Sequence, residues 1–312
     1  MYDSTIHAKT IARQFRRSDF EAGVLHVAVD EKAEAIERAL NLSATGFPHA
    51  SLFRSNLGGK QVYQHRSIEQ ALVVRHISEN IRRVTGVKQS DRQDIVRSLS
   101  RIASQGVPFK ALALDIKSFY ESVDVWHILA SLKSDAAFSR QSVHLLASFF
   151  DALDASGIAG LPRGLALSAT LAEYTMRRFD EQVSALMGVF YYNRFVDDII
   201  VITSADVDTA ELMKQVSTLL PNGLHFSRSK SRSYAFSGYS GGNNDVEEGA
   251  ITFLGYRVSI GYVIRKDKAF ERTAALDIAP SKVVKTKTRI ARALLDFKNG
   301  GSFDNLLDRG SC

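Results

Sequence analysis

Cysteine is almost missing from this chain: its single copy, Cys312, is the last residue. That excludes a disulfide framework, a thiolate zinc site and an internal cysteine nucleophile. Proline is scarce too, with 5 among 312 residues, and the 20 glycines form no periodic array, so neither a collagen-like nor a low-complexity chain fits. No apolar run approaches the roughly 18 residues that a membrane-spanning helix needs. The opening MYDSTIHAKTIARQFRR lacks the apolar stretch of a secretion signal. What is present is an ordinary globular balance, 45% hydrophobic and 24% charged, which excludes global disorder. At roughly 150 residues per domain, the length fits about two domains of a soluble, cytoplasmic protein.

Charge of one sign is in modest excess, +6 overall, so its distribution carries the information. Between residues 54 and 110 stand eleven Lys and Arg against four Asp and Glu, and five basic residues with no acid lie within 282–292. Either segment alone could be a solvated face. Two of them flanking a central region of clustered carboxylates fit the walls of a polyanion channel.

Periodicity divides the chain. The first 110 residues read as mostly helical. Ile68, Leu72, Ile77, Ile81 and Val84 recur near helical spacing. Ser90 with Gln93 has the form of a capping box, Ile95, Leu99 and Ile102 continue one face, and Gly106 closes that helix. From Ala111 the period switches to two (ALALDI), with Leu112, Leu114 and Ile116 on one face and Ala111, Ala113 and Asp115 on the other. A face of small residues ending in a carboxylate predicts room for something bulky and charged.

Helices are expected over 125–132, 139–153 and 168–187, the last burying Leu171, Thr175, Phe179, Val183 and Leu186. Residues 188–203 (GVFYYNRFVDDIIVIT) hold two β-rich runs joined at a polar centre, which predicts a hairpin with Asp197 and Asp198 near its tip. A helix over 208–220, a linker-like loop over 238–249 and a strand pair within 251–264 follow. Strands interleaved with helices, in hairpins and not regular βαβ units, indicate an α+β fold.

Chemistry concentrates on three aspartates. Adjacent carboxylates repel and raise each other's pKa, so a tight turn holds Asp197 and Asp198 chiefly when solvent or cations neutralise them. An acidic pair alone reads as a solvated turn. This one is set among Phe195, Val196, Ile199, Ile200 and Val201, bulky β-formers that exposed turns seldom need. In-line phosphoryl displacement requires two hard divalent cations about 4 Å apart, bridged by carboxylates. One would activate an attacking 3′-hydroxyl, and the other would hold a triphosphate and the leaving pyrophosphate.

Over roughly residues 82–264 the chain resembles the reverse transcriptases, motif by motif and in order. Asp115-Ile116-Lys117-Ser118-Phe119-Tyr120 resembles the first palm motif. Gly160-Leu161-Pro162-Arg163-Gly164-Leu165, followed by Ser168, is similar to the loop and helix that position template and nucleotide. Phe195-Val196-Asp197-Asp198 resembles the catalytic hairpin, and Leu224-His225-Phe226-Ser227-Arg228-Ser229-Lys230 the segment whose lysine approaches the triphosphate. Phe253-Leu254-Gly255-Tyr256 resembles the primer-grip hairpin.

The resemblance implies a right-hand polymerase. Residues 1–110 would form an N-terminal extension and mostly helical fingers. Residues 111–264 would form a palm of antiparallel sheet plus helices, with part of the fingers, about 125–160, inserted. Residues 265–312 would begin a short or incomplete thumb, which truncation, a protein partner or a second copy would explain. The catalytic set is Asp115, Asp197, Asp198 and Lys230. Two Mg²⁺ ions, replaceable by Mn²⁺, would sit on the three aspartates and Ile116. Nucleotide contacts fall to Arg82, Lys88, Arg92, Phe119, Tyr120 and Gly164, and template or primer contacts to Pro162, Arg163, Ser168, Leu254 and Gly255. Partners would be an RNA template (a dedicated non-coding RNA among the options), the DNA product and dNTPs, with no membrane.

Elementary chemistry agrees at several positions. Gly160 and Gly164 let backbone approach a ligand closely. Arginine donates bidentately to phosphate, and Lys230, clustered with Arg228 and Arg232, suits a general acid toward pyrophosphate. Tyr120 stands five positions after Asp115, where reverse transcriptases carry the aromatic that excludes a ribose 2′-hydroxyl, so deoxynucleotides are expected. Arg163 replaces a frequent glutamine, Glu173 a frequent asparagine, and Val196 a frequent alanine or methionine. With DIKSFYESV and YYNRFVDD, these departures are similar to the bacterial retron-like and phage-defence (abortive-infection) branch. Two alternatives stay open: template-independent or protein-primed DNA synthesis at the same site, and a catalytically silent RNA-binding scaffold.

Overall fold

A computed structural model describes residues 3–21, 23–135, 137–237, 247–264 and 270–300. Most of the expected linker, 238–246, and the C-terminal stretch with Leu307 and Cys312 lie outside the described residues. In chain order the elements begin with α1 (Ala8–Ala12), α2 (Lys32–Thr45), β1 (Leu52–Leu57), β2 (Lys60–His65), α3 (Ile68–Thr85), α4 (Arg92–Ala103) and β3 (Phe109–Asp115). There follow α5 (Phe119–Ser122), α6 (Val125–Ser134), α7 (Arg140–Ala155), α8 (Ala166–Ser184), β4 (Val189–Phe195) and β5 (Asp198–Ser204). The last are α9 (Thr209–Leu219), β6 (Arg232–Phe236), β7 (Glu247–Phe253), β8 (Tyr256–Ile264), β9 (Phe270–Ile278) and α10 (Pro280–Lys298). Among the described residues, no helix is long and apolar enough to cross a membrane.

Local chemistry sets the helix ends. Ser67 caps α3 by accepting from the Gln70 amide, and Gly86, at φ +70°, closes it by donating to the Arg82 carbonyl. α4 is capped by Asp91, not Ser90: the Asp91 carboxylate accepts from the Gln93 and Asp94 amides. An anion at this position also meets the positive end of the helix dipole, which a serine hydroxyl does not exploit.

The described residues fall into two units, one within 1–89, 115–186 and 211–230, the other within 90–114, 187–210 and 231–312. In the first, α3 packs against α1, α2 and α8 and buries Leu72, Ile77 and Ile81 completely, while Val84, expected on the same stripe, is exposed. α8 starts two residues earlier than expected and ends at Ser184. Leu171, Phe179 and Val183 are buried on it, whereas Thr175 is half-buried and returns its hydroxyl to the Leu171 carbonyl. β1 and β2 form an antiparallel hairpin inside the stretch read as mostly helical. Alternation there is weak, because β1 is largely exposed.

The second unit holds a four-stranded sheet of order β4-β5-β3-β6 and an antiparallel three-stranded sheet, β7-β8-β9. Both sheets and α4 share one core. Ile95, Val96 and Leu99 of α4 pack with Phe109, Ala111 and Ala113 of β3 and with Ile251, Val258 and Ile260 of the second sheet. Each such aliphatic side chain contributes about 1.5–3 kcal/mol. The small face of β3 therefore makes room for a helix and a sheet, not for a ligand; only its last member, Asp115, escapes that packing.

A strand pair was expected where three strands stand. β9 carries Glu271, Arg272 and Asp277, which mask its alternation. Arg272 is nevertheless buried: its guanidinium donates to the Glu248 carboxylate at 3.0 Å, the Val107 carbonyl at 2.7 Å and the Tyr262 hydroxyl at 2.9 Å. α10 starts on Pro280 and buries only Ala293.

Two buried polar groups organise the first unit. Asp19, 1% exposed, takes both nitrogens of the Arg75 fork at 2.6 and 2.9 Å. Burial alone would raise its carboxyl, but the Arg75 hydrogen bonds and the Arg16 amide outweigh that and hold it below the usual carboxylate range. His65 is buried with its Nδ1 unpartnered among the described residues; burial, then the Arg75 and Arg16 charges, push it down to about 4. Folding thus favours the neutral ring, and this stability is full above the unfolded value near 6.5 and lost as pH falls toward 4. Acidification from pH 7 to 4 should cost up to about 3 kcal/mol through this one residue. Thermal melts across that range should show His65→Phe losing less stability than wild type.

Candidate active site

β3 delivers Asp115 to the start of the functional segment in the first unit. Just beyond, Ile116 bridges Phe226 in antiparallel fashion. The Ser227 amide donates to the Asp115 carbonyl at 2.7 Å, and the Lys117 amide donates to the His225 carbonyl at 2.9 Å. This pairing uses the main chain of Asp115 and Lys117 and not the Ile116 carbonyl. It also sets the position of Lys230, whose ammonium lies 3.1 and 3.0 Å from the two oxygens of the nearly buried Asp115 carboxylate. Two residues 115 apart in the chain meet as a charge-assisted pair.

The next residues carry Tyr120. Ser118, in the left-handed region at φ +47°, turns the chain into α5. The loop that resembles the template-positioning motif is docked on this segment. The Leu161 amide donates to the Tyr120 carbonyl at 2.8 Å. Gly160, at φ +67°, comes so close that a Cβ would lie 2.5 Å from that carbonyl oxygen and 2.8 Å from the Glu121 carbonyl oxygen. On its other side the loop receives the Tyr63 amide at the Arg163 carbonyl, 2.7 Å away. Arg163 forks onto Glu121, Nε at 2.7 Å and Nη2 at 3.0 Å, and stacks 4.9 Å above the Tyr120 ring. The Arg163 hydrogen bonds hold the Glu121 carboxyl below its ordinary range.

Several predicted contacts are thereby corrected. Phe119 is fully buried, edge-on to Tyr120 at 5.6 Å, so it supports that ring and has no surface for a nucleotide. Pro162 is buried, and Ser168 spends its hydroxyl on the Pro162 carbonyl at 2.7 Å; both brace the loop and their side chains face no template. Arg82 and Lys88 do come together, lining a cavity of about 390 Å³ with Gln14, Ala169, Thr170 and Glu173. Gly164 lines another, of about 320 Å³, beside Arg16 and His65.

In the second unit, β4 and β5 pair from Val189 with Thr203 to Phe195 with Asp198, leaving Val196 and Asp197 as the turn. Asp197 and Asp198 are thus at the hairpin tip, as predicted, and both are half-buried. Val196 sits at φ +58°, a conformation that costs a β-branched residue about 1–3 kcal/mol. Buried Arg194 braces it by donating to the Val196 carbonyl at 3.0 Å. Arg92 lies over the Phe195 ring at 5.1 Å, beside the hairpin end.

Leu254 and Gly255 form the β7–β8 turn at φ +51° and +78°. Leu254 is a core residue, a correction to its expected primer contact, because its side chain is only 6% exposed. The Gly255 carbonyl accepts from Ala279 at 3.0 Å, and a Cβ on Gly255 would meet the Lys282 side chain at 2.9 Å. Glu121 and Arg194 were absent from the predicted set. Glu121 meets its partner 42 residues on, which no local spacing signals, and Arg194 reaches a carbonyl two residues away only because the turn bends it there.

Among the described residues, no three His, Cys, Asp or Glu side chains are grouped as a metal ion would need. Carboxylates are the hard oxygen donors that divalent cations take, and the Asp115 carboxylate already faces one positive charge, the Lys230 ammonium at 3.0 Å.

Antiparallel strands with acidic ends, flanked by helices, make this a polymerase core of the reverse-transcriptase-like fold. A family model described as "Reverse transcriptase (RNA-dependent DNA polymerase)" matches residues 63–258, and the chain belongs to that family. No curated protein sequence matches it. Among solved structures the chain is similar to apo telomerase from Candida tropicalis truncated from its C-terminal domain. That match has 13% identity and a TM-score of 0.43, covering 72% of this chain and 58% of that one. It is also similar to telomerase from Candida albicans in complex with a TWJ fragment of telomeric RNA, at 12% identity and a TM-score of 0.40, over 90% and 47% of the two chains. The chain therefore spans about half the length of these structures.

The docking of the loop on Tyr120 is testable. Gly160→Ala should destabilise the protein by roughly 2 kcal/mol in urea unfolding, from the left-handed backbone and the carbonyl clash together. Gly157→Ala, where a Cβ meets nothing within 4 Å, should cost less than half as much.

Proposed function

We propose that this chain is the catalytic core of an RNA-directed DNA polymerase that extends a 3′-hydroxyl with deoxynucleotides. The observation that carries the reading is the acidic pair Asp197–Asp198 on a strained, arginine-braced turn. It opens β5, the sheet neighbour of β3, which ends on Asp115. Strain of this kind persists where surrounding structure over-determines it, as functional sites do.

Asp115, Asp197 and Asp198, with the Ile116 main-chain oxygen, would hold two Mg²⁺ ions, for which Mn²⁺ can substitute. When bound, such ions activate the attacking hydroxyl and neutralise charge on the triphosphate. Lys230 supplies the counter-charge to Asp115 and, released from it, a proton to the leaving pyrophosphate. Tyr120 fills the space of a ribose 2′-hydroxyl. Arg82, Lys88 and Arg92 bind phosphate, and the basic helix α10 follows the duplex backbone as the start of a thumb. RNA template, DNA product and dNTPs are the partners, in the cytoplasm. The motifs DIKSFYESV and YYNRFVDD support a place in the bacterial phage-defence branch.

The test is primer extension with Mg²⁺ on an RNA template. Asp115→Asn, Asp197→Asn and Asp198→Asn should each lower incorporation by at least about 1000-fold, while RNA binding stays within a few-fold of wild type. Incorporation undiminished when RNA is omitted would establish template-independent synthesis instead. Binding of RNA without any incorporation by wild type would leave the scaffold reading.

A further inference from the structure

Arg163 has a peculiar environment for a residue assigned to template contact. Its side chain is 16% exposed, and its guanidinium is committed on two sides within its own unit. One edge is forked onto the Glu121 carboxylate, and its central carbon lies over the Tyr120 ring, 4.9 Å from the centroid. Tyr120 and Glu121 are consecutive, so one guanidinium grips both the ring and the residue beside it. The backbone closes the same contact, through the Leu161 amide on the Tyr120 carbonyl and Gly160 pressed against both carbonyls. Phe119, fully buried, also meets the ring in an edge-type contact at 5.6 Å.

A planar, delocalised cation suits this place, because stacking and bidentate pairing need its face and its edge at once. A lysine offers a point charge without the fork. A glutamine, frequent at this position in the resembling family, offers neither the charge nor the stack.

We infer that Arg163 is a positioning residue for sugar selection: it clamps the Tyr120 ring in the orientation that meets the nucleotide 2′ position. The inference rests on the reading of Tyr120 as the group that excludes the 2′-hydroxyl, and it extends that reading to the pair Arg163–Glu121. A ring held on one face and one edge gives way less to an extra hydroxyl than a ring free to rotate. Discrimination then depends on how rigidly the ring is held as well as on its bulk.

The experiment compares single-nucleotide incorporation of dNTP and rNTP, as kcat/KM, for wild type, Arg163→Ala, Arg163→Lys, Glu121→Gln, Tyr120→Ala and the double variant Tyr120→Ala/Arg163→Ala. Arg163→Ala should lower the dNTP-over-rNTP preference about tenfold, mostly through a lower KM for rNTP. Arg163→Lys should restore part of the preference, and Glu121→Gln should lose part of it. In the Tyr120→Ala background, Arg163→Ala should change the preference no further, since a clamp has nothing to hold. The inference is overturned if Arg163→Ala depresses dNTP and rNTP use by the same factor, or if its effect on the preference multiplies with that of Tyr120→Ala. If Arg163→Ala does not fold, Glu121→Gln carries the same comparison. A Tyr120→Ala protein that incorporates dNTPs with unchanged preference overturns the sugar-selection reading itself, and this inference with it. Failure of Arg163→Ala alone overturns only the clamp.

Discussion

The backbone of residues 115–122 is hydrogen-bonded from two sides, and the chemistry of the first unit hangs on that double attachment. One side is the segment ending in Lys230, joined through the amides of Ser227 and Lys117. The other is the glycine-rich loop, joined through the Leu161 amide and the close packing of Gly160. Carboxylate, lysine, tyrosine and arginine are therefore placed by main-chain contacts, which a change of side chain leaves standing. The side-chain pairs, Lys230 with Asp115 and Arg163 with Glu121, sit on top of that frame.

The second unit solves a different problem, how to keep two adjacent carboxylates at a bend. β5 is fully buried from Ile199 to Ile202, which anchors the hairpin and pins its register. The cost appears at Val196, forced into the left-handed region, and Arg194 meets it by bonding the Val196 carbonyl from within the sheet. Had a glycine stood there, the turn would form without strain and without need of a brace. Rigidity at the acidic tip is thus a product of burial behind it and of one buried guanidinium beside it.

Much of this was legible in residue order. The hairpin and its tip, the helices α6, α7 and α8, and the strand ending on Asp115 follow from periodicity within about three residues. Misreadings have particular causes. The small face of β3 was read as space for a ligand, but spacing cannot say whether a helix or a solute fills such space; α4 and the β7–β9 sheet do. β9 was missed because its arginine looks solvated until Glu248, Val107 and Tyr262 gather around it. Phe119, Pro162, Ser168 and Leu254 were named from motifs as contacts, and folding turned their side chains inward.

Sequence by itself determined the inventory: three aspartates, an aromatic five residues after the first, a glycine-flanked loop and basic stretches, in an order that identifies the family. Those properties are local, being carried by residue type and by periods of two and 3.6. Tertiary structure alone decided the pairings, that Lys230 meets Asp115 and that Arg163 lies on Tyr120 and Glu121. Pairing over long separations depends on how far apart the chain's ends of contact are brought by packing, and no short-range pattern encodes that distance.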